Sequence, residues 1–108
     1  MDNIERPQLV ETYKVLGSIN HTVNINIAES ENGYTWEAVY VPAGRWNYSG
    51  VVDALVQHKY PTDLMQATIN NYLLDASDEY AVSEFNKMQA WRKEAKEIAK
   101  EALLYGMP

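Results

Sequence analysis

The chain predicts an α+β domain: an antiparallel sheet of about three strands in the first 42 residues, packed by three helices in the rest. Three observations carry this. A tight-turn signal, Glu31-Asn32-Gly33-Tyr34, separates two runs of alternating apolar residues. From Ser49 onward apolar residues recur at three- and four-residue spacing, the period of a helix. Pro61 and the run Asp75-Ala76-Ser77 then cut that stretch into three pieces.

The first strand is expected over about 9–16, where Tyr13 and Val15 precede the breaker Gly17-Ser18. The hairpin arms follow over 22–30 and 34–42. Asn-Gly suits a two-residue turn because both central residues must take φ > 0, which these two tolerate best. Counting outward from that turn sets Glu29 opposite Trp36, Ile27 opposite Ala38, Ile25 opposite Tyr40 and Val23 opposite Pro42. This is the expected packed face. The other face, Asn24, Asn26, Ala28 and Ser30 against Val41, Val39, Glu37 and Thr35, is expected to be wetter. A slip of one residue would carry Ile25 and Ile27 to that wetter side, so the pattern defends its own register.

Pro42-Ala43-Gly44 ends the sheet, and Arg45-Trp46-Asn47-Tyr48 forms a connector with two large aromatics. The first helix is expected over 49–59, capped by Ser49 and carrying Val51, Val52 and Leu55 on one side. Pro61 stops it. A second helix over 62–74 is capped by Thr62, with Asp63 at the positive end of its dipole and a stripe of Leu64, Met65, Ile69, Tyr72 and Leu73. The third, over 78–105, starts after Ser77 with Asp78 and Glu79 in its first turn. Its seam is Met88, Trp91, Ala95, Ile98, Ala102 and Tyr105. At about 1.5 Å per residue it reaches roughly 42 Å. A globule of this size is only about 34 Å across, which leaves two readings of the seam. Either it covers the chain's own sheet and helices, with Trp91 and Phe85 as anchors, or its last turns dock on a second copy or another protein.

At 108 residues the chain is one domain, 1–108, large enough to bury a core without staples. It has no cysteine, which removes disulfides and thiolate chemistry together. No run of residues approaches a membrane span, and the first seven residues lack the zones of an export signal. A cytoplasmic protein is expected. Net charge is −6, with nine acids against four bases in residues 1–77 and six against five in 78–108. Nucleic acid needs a dense basic face, so it is not an expected partner. The one basic row, Arg92, Lys96 and Lys100, reads as a solvated helix face beside Glu94, Glu97 and Glu101.

Catalytic constellations are absent from the sequence: there is no phosphate loop, zinc helix, calcium loop or nucleophile elbow. His58 shares the stripe of Val51 and Leu55 and is expected to be partly buried; His21 is expected in an exposed loop. No catalytic residue, metal or cofactor is assigned, and the chain is not expected to be an enzyme. The candidate contact residues are Arg45, Trp46 and Tyr48 of the connector, and Ile98, Ala102 and Tyr105 of the last helix. The expected work is protein interaction or assembly, through a protein partner or a homo-oligomer formed by the last helix. The alternative is a small carbohydrate- or ligand-binding module that uses Arg45, Trp46 and Tyr48.

Residues 51–67, with Lys59-Tyr60-Pro61 closing one helix and opening the next, and residues 84–96, with Trp91-Arg92 on a long amphipathic helix, carry a resemblance. Over about 51–104 the chain resembles small proteins encoded near the tail genes of phages and prophages. The resemblance implies a virion or assembly protein that acts by contact. It brings no catalytic or binding residue with it.

Overall fold

The computed structural model describes residues 5–105. Strands β1 (Val10–Val15), β2 (Ser18–Ser30) and β3 (Gly33–Val41) form one antiparallel sheet in the order β1-β2-β3. Helices α1 (Tyr48–Lys59), α2 (Thr62–Leu74) and α3 (Glu79–Leu104) follow. The α+β architecture read from the sequence is the one observed.

The β1–β2 turn is Leu16-Gly17, both at positive φ (51° and 83°), which suits a two-residue hairpin with native twist. Leucine rarely takes that conformation, and Leu16 is fully exposed there. The second hairpin differs from the expected register. Its turn residues are Glu31-Asn32, because Gly33, at φ 123°, already pairs with Ser30 as the first residue of β3. Glu29 thus faces Tyr34 rather than Trp36. A bulge then intervenes: Ile25 pairs with Glu37 and Ala28 with Thr35, so Asn26 and Ile27 stand against Trp36 alone. Asn26 absorbs the extra residue at φ 53°, a left-handed conformation that asparagine accepts.

The bulge decides which residues are dry. Beyond it Val23 pairs with Val39 and His21 with Val41, so Val39 and Val41 fall on the core side instead of the wet one. Tyr40, expected to be packed, turns out to the opposite face, where its hydroxyl donates to Asn20 Oδ1 at 2.8 Å.

Val10, Val23, Ile25, Val39 and Val41 of the sheet meet Val51, Leu55 and Val56 of α1 and Trp91, Ala95, Ala99 and Ala102 of α3. The alanines let α3 approach closely, and Trp91 fills the remaining space. Its indole N–H donates to the Leu55 carbonyl at 2.9 Å, so the ring enters the core with its one polar atom satisfied. The Lys59 ammonium stands 3.9 Å from the centre of the same ring. Helix α2 lies against α3, where Tyr72 and Phe85 stack at 4.2 Å.

The helix starts refine the expected caps. Asn47, not Ser49, caps α1, its Oδ1 accepting from the Gly50 N–H at 2.8 Å. Thr62 makes no side-chain cap; Pro61 flanks the start of α2, its carbonyl accepting from the Met65 N–H. Asp78, not Ser77, caps α3 by accepting from Tyr80 and Ala81. The radius of gyration is 16.7 Å, above the roughly 13 Å of a compact chain of this length, and the longest dimension is 50 Å.

Candidate functional site

The connector between β3 and α1 builds one side of a cleft. Arg45 N–H bonds back to the Pro42 carbonyl at 3.1 Å, and Asn47 N–H to the Arg45 carbonyl at 2.8 Å, so the chain makes two tight turns before α1. Gly50 is obligatory at this point: a Cβ there would collide with the Arg45 carbonyl. Sequence reasoning missed this glycine, because its need arises only from the chain folding back on it.

Fixed in this way, Arg45 and Tyr48 border a cleft of about 410 Å³. Val52 and Val56 of α1 and Met65 of α2 give it apolar walls, and Arg92 and Lys96 of α3 close its far side. Three cations and one acid, Asp53, line it, in a chain that carries −6 overall. Arg45 reaches Asp53 only loosely, at 3.9 Å, with both side chains more than half exposed. Among the described residues Arg92 and Lys96 have no carboxylate within 4 Å; Arg92 bonds instead to the Gln89 amide oxygen at 3.0 Å. Like charges four residues apart repel on a helix. The basic row read as a solvated face is therefore half built into a concavity, which sequence spacing alone could not reveal because Arg45 and Met65 arrive from elsewhere.

The connector trio is divided. Trp46 turns away from the cleft and stacks on His21 at 4.0 Å, with ring planes 4° apart. The two rings line a separate polar recess with Gln8, Glu11, Thr12 and Tyr105. His21 lies within β2, half-buried rather than in an exposed loop. Burial holds its pKa below the ordinary histidine value. Arg45, Trp46 and Tyr48 consequently do not form one stacking platform.

On α3, Ala102 is buried in the sheet contact, Ile98 packs beside it, and Tyr105 is partly exposed with its hydroxyl 2.9 Å from Gln8 Oε1. Met88, Trp91, Ala95 and Ala102 of the seam are buried within the chain, where α3 packs on α1 and α2, while Tyr105 at its end stays exposed. His58, expected to be a partly buried, hydrogen-bonded histidine, bonds to Glu37 Oε1 at 2.7 Å with 30% of its side chain exposed. Glu37 also accepts from the Asn26 amide, and these two bonds hold its pKa below the usual carboxylate value.

Among the described residues no group of three or more histidine or acidic side chains is placed to hold a metal ion, and no helix is long and apolar enough to cross a membrane. No family model, curated protein or solved structure matches the chain.

Proposed function

We propose that this protein is a non-enzymatic interaction protein that holds an acidic segment of a protein partner in the cleft between Arg45 and Lys96. The convergence of Arg45, Arg92 and Lys96 on apolar walls, within an otherwise acidic chain, supports this reading. Carboxylates of the segment meet the three cations, with arginine offering a planar fork to each. Its apolar side chains cover Val52, Val56 and Met65. The cleft volume falls in the range of binding sites of roughly 300–1,000 Å³. Nothing in it pairs a nucleophile with a base. The resemblance over 51–104 points to assembly of a phage or prophage particle as the setting for such a contact.

The test is a fluorescence anisotropy titration with a labelled peptide of alternating glutamate and leucine, in low and in moderate salt. The reading expects saturable binding that weakens with salt and is lost in the Arg92→Glu/Lys96→Glu double variant. Absence of binding, or equal binding by the variant, would overturn it.

A further inference from the structure

Resting on the reading of the cleft as an acidic-segment site, we infer that its occupant is the α2–α3 loop of a second copy of this chain. The loop has the complementary chemistry. Asp75, Asp78 and Glu79 lie within five residues, and no lysine or arginine occurs between Tyr60 and Asn86. The acids are flanked by apolar side chains that the fold leaves in water, Leu74 at 87% exposure and Tyr80 at 73%. An acidic knob with two apolar flanks fits a basic cleft with apolar walls.

The loop is also held ready. Asp75 Oδ1 accepts from the Ser77 N–H at 3.0 Å and the Ser77 hydroxyl at 2.5 Å, and Asp78 Oδ1 caps α3. The Oδ2 atom of each carboxylate makes no hydrogen bond among the described residues. Docking therefore costs little ordering of the loop. The Ser77 bonds keep the Asp75 pKa below its ordinary value, so it is charged at neutral pH, as the cations are.

A chain cannot fill its own cleft. Glu79 and Arg92 sit on one continuous helix, thirteen residues or roughly 20 Å apart. Loop and cleft are thus different patches on one molecule, and their contact is head-to-tail. Such a contact propagates into a ring or a filament unless it is capped, which suits a protein that acts by assembly.

Sedimentation velocity on the full chain and two variants tests this. The cleft variant is Arg92→Glu/Lys96→Glu; the loop variant is Leu74→Ser/Glu79→Lys, which spares both aspartates that order the loop. The wild type is expected to sediment faster as concentration rises through the micromolar range, and each variant alone to stay monomeric with wild-type far-UV circular dichroism. Mixed in equal amounts, the two variants should form a dimer and stop there, since each supplies one intact half. A wild type that stays monomeric at several hundred micromolar, or a variant that on its own associates as well as the wild type, would overturn the inference. A monomeric wild type that still binds the labelled acidic peptide overturns self-docking alone and leaves the acidic-segment reading standing.

Discussion

Helix α3 presents two rows that differ by a single residue of offset. Trp91, Ala95 and Ala99 are dry, sealed against the sheet and α1, while Arg92, Lys96 and Lys100 face outward, the first two into the cleft. The dry row carries small side chains because it must let two backbones approach. The wet row carries long cationic ones whose stems can lie along Val52, Val56 and Met65 while the charges stay in water. The dry row, which as sequence alone could have been an association surface, is spent inside the molecule. In the proposed function, contact falls to the other row.

Breaking the dry side should have the largest effect. Trp91→Ala removes the anchor and leaves the Leu55 carbonyl without its donor, at a cost of about 3–5 kcal/mol. In chemical denaturation this should appear as a large fall in midpoint. Gly50→Ala attacks the connector instead, forcing Arg45 off α1; about 2–3 kcal/mol of stability should be lost, and peptide binding should weaken even where the protein is folded. The same assay on Asn47→Ala should show about 1 kcal/mol, the value of a helix cap. Leu16→Asn should go the other way, gaining up to about 1 kcal/mol because asparagine tolerates φ 51° at a turn where leucine buries nothing. By contrast Arg92→Glu/Lys96→Glu should change the unfolding free energy by no more than about 0.5 kcal/mol, since both side chains are on the wet row.

The pH response sharpens the contrast further. His21 and Glu37 both have pKa values lowered by the fold, so each contributes stability that is complete above its unfolded pKa and is lost as pH falls toward the folded one. Stability should decline below about pH 6.5 through His21, and again below about pH 4.5 through Glu37. His21→Phe, which preserves a ring against Trp46, should flatten the upper part of that decline in thermal melts between pH 7 and 5.

Strand and helix positions were legible because alternation, Asn-Gly and Pro61 each act through neighbours in sequence. The β2–β3 register was not. It turns on whether Gly33 sits in the turn or begins the strand, and on Asn26 accepting a left-handed conformation, two local choices of similar energy that packing of Val39 and Val41 decides. Ser49 and Asn47 illustrate the same limit at the start of α1, two residues apart and both good caps. The cleft was half legible: Arg45, Tyr48, Arg92 and Lys96 each drew notice, but their convergence depends on the connector doubling back over Gly50. The separation of Trp46 from Arg45 and Tyr48 has the same origin, since in the folded-back connector Trp46 stacks on His21 while Arg45 and Tyr48 border the cleft.

The account rests on the alanine row of α3 being interior. Thermal unfolding of Ala99→Glu, followed by circular dichroism, tests this most directly, because a lone carboxylate at a fully buried position costs several kcal/mol. A fall in midpoint of about 15 °C or more is predicted. An unchanged midpoint, with a chain that remains folded but loses association, would show that the alanine row faces another molecule and would contradict the account.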